Sequence, residues 1–203
     1  MARLKLSKQA LTQEQERLKL YQRLLPSLDL KRRQLSVAVR RAETELARLE
    51  AERAALTGRI GEELPMLAHP DFNLGGLVAL ERVETGEENV VGVRLPVFRG
   101  TRYRVADYSR LATPAWVDVL VARLKQALEL EVRRDIAARR LSILRHQLRR
   151  VTQRVNLFEK VLIPTARNNI KRIRLHLDEV DRTAVVISKL AKRKQQAARE
   201  GMT

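Results

Sequence analysis

Residues 141–177 read LSILRHQLRRVTQRVNLFEKVLIPTARNNIKRIRLHL. In this stretch Leu141, Leu144, Leu148, Val151, Val155, Phe158 and Leu162 recur at alternating steps of three and four, the spacing that holds one apolar seam on one side of a helix. The seam resumes with Ile170, Ile173, Leu177, Val180, Ala184, Ile187 and Ala191. Between the two runs Ala166 stands four residues from each neighbour, so the phase slips by one residue, which locally unwinds a supercoil. Pro164 falls at that slip, where it removes a backbone donor and is expected to bend the helix at a cost of about 3 kcal/mol.

A helix that hides only a narrow stripe needs a partner helix, and the start of the chain supplies one. Leu4, Leu11, Leu18 and Leu25 are seven apart, and the same phase continues in Val39, Leu46 and Ile60. Leu28, Leu35, Ala42, Leu49 and Leu56 form the second phase of the same heptad, with Tyr21 filling one further position. Ser7, Glu14, Arg32 and Arg53 are the polar exceptions. At 1.5 Å per residue, such a helix of about 60 residues spans ~90 Å, several times the diameter of a small domain. Pro26, in RLLPSLDLKRRQL, predicts either a kink or a short break as far as Lys31.

The middle of the chain has a different composition. Glycine, proline and aromatic residues concentrate between Pro65 and Trp116, and GGLVALERVETGEENVVGVRLPVF reads as two strands, Leu77 to Val83 and Val90 to Val97. Thr85-Gly86-Glu87-Glu88-Asn89 is the expected turn. Thr113 is the expected cap of the helix that follows, with Pro114 in its first turn and Asp118 favouring its N-terminal dipole. The expected fold is mainly α, a long antiparallel two-helix coiled coil of the N- and C-terminal helices with a small β-hairpin-containing insert at the turn. Its parts are a helix over 1–64, a compact insert over 65–113, and a second helix with a basic tail over 114–203.

Composition narrows the function. The 203 residues include no cysteine, which excludes a disulfide framework and a thiolate metal site. No apolar run approaches the ~20 residues of a membrane span, and the N-terminus lacks the apolar core of a signal peptide. A cytoplasmic protein, at most peripheral to a membrane, is expected. The net charge is +17, and the basic residues are unevenly placed: residues 117–203 hold 21 Lys and Arg against 9 Asp and Glu. This field reaches about 8 Å in physiological salt, so a partner that feels it must come close, as a sleeve around the helix or a nucleic-acid backbone would.

Nothing in the sequence points to catalysis. It contains no GxxxxGK[ST] phosphate loop, no HExxH and no GxSxG. His69, His146 and His176 are scattered, and no cofactor or metal ligand set is expected. The basic tail SKLAKRKQQAARE suits a polyanion, but it continues the heptad and carries no aromatic residue for stacking on bases.

The segment RVNLFEKVLIPTARNNIKRIRLHLDEVDR resembles the C-terminal signature of the D subunit of the V/A-type rotary ATPases, RVNxxExxxIPxxxxxIxxIxxxLxExER. Arg154, Val155, Asn156, Glu159, Ile163, Pro164, Ile170, Ile173, Leu177 and Glu179 match it, and Asp181-Arg182 stands for its Glu-Arg. ENVVGVRLPVF, through Glu88, Asn89, Val90, Gly92 and Pro96, and TPAWVDVLV resemble further family segments. Leu28, Lys31, Arg32 and Leu35 fit a family LxxKRDxL stretch, with Arg33 in place of its Asp.

The resemblance implies a central rotor shaft. The paired helices would insert into a hexamer of alternating catalytic A and B subunits, and the insert would lie nearer the F subunit and the membrane-side ring connector. Rotation would couple ATP synthesis or hydrolysis to proton or sodium transport, the chain itself being non-catalytic and binding no small-molecule substrate. Arg149, Arg150, Arg154, Asn156 and Glu159 are then the candidate contacts with other subunits, and Pro164 marks the bend. The seam from Leu141 to Leu162 would hold the shaft together. Two other readings fit the layout or the charge: a prefoldin-like chaperone clamp, and a basic coiled-coil scaffold on nucleic acid.

Overall fold

A computed structural model describes residues 5–68, 76–108, 114 and 116–200. Three sequence expectations, a seam position at Leu4, a surface His69 and a helix cap at Thr113, lie outside the described residues. The chain divides into two compact units, one made of the residues up to Leu30 with those from Val151 onward, the other of Lys31–Arg150.

The first helix, α1, runs from Lys8 to Glu63. Ser7, a polar exception in the heptad, caps it: the Ala10 amide donates to Ser7 Oγ at 3.2 Å and the Leu11 amide to the Ser7 carbonyl at 3.0 Å. Pro26 lies inside the helix without breaking it. The Ser27 hydroxyl donates to the Leu24 carbonyl at 2.8 Å, satisfying a backbone acceptor close to the proline. A short 3-10 turn, Pro65–Ala68, follows.

Two antiparallel strands, β1 (Val78–Val90) and β2 (Val93–Val105), form the hairpin. Both are longer than the sequence suggested, and the turn lies elsewhere. Val90 pairs with Val93, so the connection is Val91-Gly92, and Thr85–Asn89 belongs to β1. Both turn residues have positive φ, 55° at Val91 and 74° at Gly92, the conformation that matches the right-handed twist of paired strands. Gly86 had suggested a turn, yet it lies within β1 with the Arg99 side chain against it. Register shifts between Leu80 and Arg82 and between Glu84 and Thr85 place Gly86 beside a bulge.

The second long helical stretch has three parts: α2 (Trp116–Leu157), a π turn (Phe158–Leu162) and α3 (Ile163–Glu200). Helix α2 begins at Trp116, so Pro114 stands ahead of it rather than in its first turn; the Val117 amide donates to the Pro114 carbonyl at 3.0 Å. Asp118, in the first turn, accepts a hydrogen bond from the Tyr108 hydroxyl at 2.7 Å.

Within each unit, cross-helix contacts run antiparallel. In the Lys31–Arg150 unit Arg145 reaches Glu43 at 2.7 Å, Arg53 reaches Glu131 at 3.3 Å and Arg123 reaches Glu63 at 2.8 Å. In the other unit the Tyr21 and Phe158 rings meet edge-on with centroids 5.4 Å apart, and Asn169 donates to Glu14 at 3.2 Å. Leu35, Val39, Leu49 and Leu56 are buried in α1, as are Leu120, Ala137, Leu141 and Leu144 in α2.

The hairpin folds back on the helices of its own unit. Leu95 is fully buried, the Arg133 guanidinium sits 5.0 Å from the Phe98 ring centroid, and Arg140 donates to the Pro96 carbonyl at 3.0 Å while pairing with Glu88 at 2.7 Å.

Candidate subunit interface

Each candidate contact residue owes its position to the seam beneath it. In the Lys31–Arg150 unit, Leu141 and Leu144 are buried and Leu148 is half-buried, which leaves Arg149 and Arg150 exposed on α2. In the other unit Val151 and Val155 are buried and Phe158 and Leu162 half-buried, which leaves Arg154, Asn156 and Glu159 exposed. Among the described residues no hydrogen bond or ion pair joins or occupies these five side chains, so their polar groups face solvent in the isolated chain. Glu159 lies within the π turn itself.

The π turn accounts for the phase slip and relocates it. Sequence spacing put the slip around Ala166; in the structure the seam passes from Phe158 directly to Ile163, a step of five, and then continues through Ala166, Ile170 and Ile173 at regular steps. The Ile163 amide donates to the Phe158 carbonyl, the i to i−5 bond of a π turn. Ile163 is 8% exposed, a seam residue that the spacing argument passed over because it stands next to Leu162. Pro164 follows as the second residue of α3. There its missing amide falls where the widened turn has already broken the α-helical ladder.

Glu14 is the second departure from an apolar seam. It is 8% exposed, and its carboxylate accepts from Arg17 at 2.8 Å and from Asn169 at 3.2 Å. A charged group at that depth is tolerable because both oxygens are partnered. Asn169 was not singled out by the sequence; its signal is its place in the NN pair one residue before the seam residue Ile170.

The seam ends before the helix does. Val180, Ala184, Ile187 and Ala191 are all exposed. Antiparallel pairing that sets Glu14 beside Asn169 brings the start of α1, at Lys8, to about the level of Leu175, so beyond Leu177 the described part of α1 has nothing left to cover α3. This stretch also carries Arg182, Lys189, Lys192, Arg193 and Lys194 among the exposed Val185, Val186 and Leu190, so it presents apolar and basic side chains side by side.

No group of three or more His, Asp or Glu residues among those described is placed to hold a metal ion, and no described helix is long and apolar enough to cross a membrane.

Comparison with known proteins finds matches along nearly the whole chain. The family described as the D subunit of ATP synthase matches residues 10–193. A V-type ATP synthase D subunit of Borreliella burgdorferi is 33% identical over 192 residues, covering 95% of both chains. Proteins of the same name from Chlamydia caviae and Chlamydia abortus are 35% and 36% identical, each over 98% of this chain and 97% of its own. Matched over nearly its full length by that family and by these relatives, the chain belongs to the family of ATP synthase D subunits.

Proposed function

We propose that the chain is the central-stalk shaft of a V-type ATP synthase, turning inside the catalytic hexamer and transmitting its rotation to ion transport. Family membership over residues 10–193 carries this reading. In it the chain catalyses nothing itself: nucleotide sites belong to the A and B subunits, and the shaft changes their conformations as it turns. The complex lies on the cytoplasmic face of a membrane, and the chain is a peripheral part of it.

Two features of the molecule support the role. Torque requires helices that do not slip past one another, and the buried seam with Glu14 and Asn169 fixes a register between the paired helices. The exposed apolar and basic end of α3 suits insertion into a collar that presents apolar and acidic groups. Arg149, Arg150, Arg154, Asn156 and Glu159 face that hexamer, Pro164 bends the stalk so that it meets three catalytic interfaces unequally, and the segment over 65–113 acts as a separate insert toward the F subunit and the ring connector. The chaperone-clamp and polyanion-scaffold readings rest on layout and charge alone.

Removal of the chain from the assembled complex tests the proposal. ATP hydrolysis by the A and B subunits is expected to persist without ion pumping, and resupply of the chain restores coupling. Pumping that survives its removal overturns the assignment.

A further inference from the structure

The seam of α3 continues past the point where α1 can cover it. Val180, Ala184, Ile187 and Ala191 keep the three-four steps that bury Ile170 and Ile173 earlier on the same helix, yet Val180 is 50% and Ile187 61% exposed. With α1 starting at about the level of Leu175, the track beside these residues is open.

A second copy of the same stretch fits that track. Set antiparallel, with Ala184 beside the second copy's Ile187 and Val180 beside its Ala191, every seam residue meets a seam residue. The antiparallel setting also sends the two α1 helices away from each other, since each lies beyond its own Leu177. Past Lys194 the second copy's helix reaches the start of α1 and leaves the track.

Charge selects the same direction. The stretch opens with Asp178, Glu179 and Asp181 and closes with Lys192, Arg193 and Lys194. Among the described residues none of these six side chains makes a hydrogen bond or ion pair. In the antiparallel register Asp178 stands level with the second copy's Arg193, and Glu179 with its Lys192. Parallel pairing would set acid beside acid and base beside base, which is unfavourable. Residues 178–194 span only about 25 Å, and two of the four seam residues are alanine. The contact is therefore smaller than the about 1,200 Å² of a standard interface, which makes the pairing weak and reversible.

We infer that, in the unassembled chain, this end of α3 pairs antiparallel with the same stretch of a second copy and so covers Val180 and Ile187. The inference goes beyond the stalk role, which stands whether or not the free chain pairs.

Sedimentation equilibrium of the full-length chain from about 5 to 500 µM tests it. A reversible monomer–dimer equilibrium is expected, weakened about tenfold or more by Ile187→Ser and by Lys192→Glu combined with Arg193→Glu. Adding Asp178→Lys and Glu179→Lys to the charge-reversed chain restores opposite charges at both levels and is expected to restore the dimer. All these positions are exposed, and circular dichroism melts should show each variant folded as the parent is. Because the chain has no cysteine, a mixture of the Ala184→Cys and Ile187→Cys variants reports direction: the two are expected to cross-link to each other rather than each to itself. The inference is overturned by a chain that stays monomeric, by a dimer indifferent to Ile187→Ser or to the charge reversal, by failure of the second reversal to restore it, or by cross-links between two copies of Ala184→Cys. A monomeric chain that still restores coupling to the complex overturns the pairing alone, so the two readings fail separately.

Discussion

The Ile163 amide donates to the carbonyl of Phe158, five residues earlier, and both side chains belong to one apolar seam. A heptad seam with one extra residue would rotate its later half away from its partner helix, by ~100° at 3.6 residues per turn. The π turn absorbs that residue locally. It keeps Val151 and Val155 before it, and Ala166, Ile170 and Ile173 after it, buried together.

Deletion of the exposed Val161 is expected to convert the π turn to α-helix and leave a regular three-four seam from Val151 to Leu177. It also strands Pro164 in a helix interior at a cost of about 3 kcal/mol. Urea denaturation of the deletion should show that loss, and adding Pro164→Ala should recover most of it. No recovery would show that the π turn does more than absorb one residue.

Val155 is 2% exposed in the seam. Val155→Asp is expected to cost at least about 3 kcal/mol, because a charge is buried without a partner. The neighbouring Arg154→Asp, on the exposed face, should change stability by under about 0.5 kcal/mol. Thermal melts followed by circular dichroism separate the two; equal effects would contradict the seam assignment.

Glu14 and Asn169 define a testable pair. Asn169→Ala removes one donor from a buried carboxylate and is expected to cost about 1–3 kcal/mol. With Glu14→Gln already in place the same change should cost clearly less. A double-mutant cycle with a coupling of zero would contradict the contact.

Val91 holds φ 55° at the hairpin turn, a conformation in which a β-branched side chain is strained. Val91→Asn is expected to raise stability by about 1 kcal/mol, with hydrogen exchange slowed in the strands beside it. Faster exchange at Val90 and Val93 would show that the turn is held by contacts of the valine side chain instead.

Arg140 ties the hairpin to α2 through both the Pro96 carbonyl and Glu88. Glu88 is half exposed, so its ion pair contributes little after solvent screening. Arg140→Ala should therefore loosen the β2 amides in hydrogen exchange much more than Glu88→Ala does. Equal effects would locate the anchor in the ion pair.

Periodicity made the helices legible because a buried stripe must repeat at the helical spacing whatever the partner. Leu35, Leu49, Leu141, Leu144, Val151 and Val155, all picked out by that spacing, are buried. The hairpin turn was not legible: Thr85-Gly86-Glu87-Glu88-Asn89 carries stronger local turn chemistry than Val91-Gly92, and cross-strand pairing overrides it. Ile163 was missed because a step of five has no place in a three-four count. Arg140 was invisible for another reason: its partners Glu88 and Pro96 are some fifty residues away, and only the folded hairpin brings them near. The exposed seam from Val180 onward looked like the buried one because the sequence pattern records which side is apolar, not whether anything covers it.

The central claim is mechanical and is tested most directly by watching the chain turn. With the A and B hexamer fixed to a surface and a bead attached at the Val91-Gly92 turn of the hairpin, ATP is expected to drive unidirectional rotation with three pauses per revolution, one for each catalytic interface. A bead that stays fixed or only diffuses while the hexamer hydrolyses ATP would contradict the account.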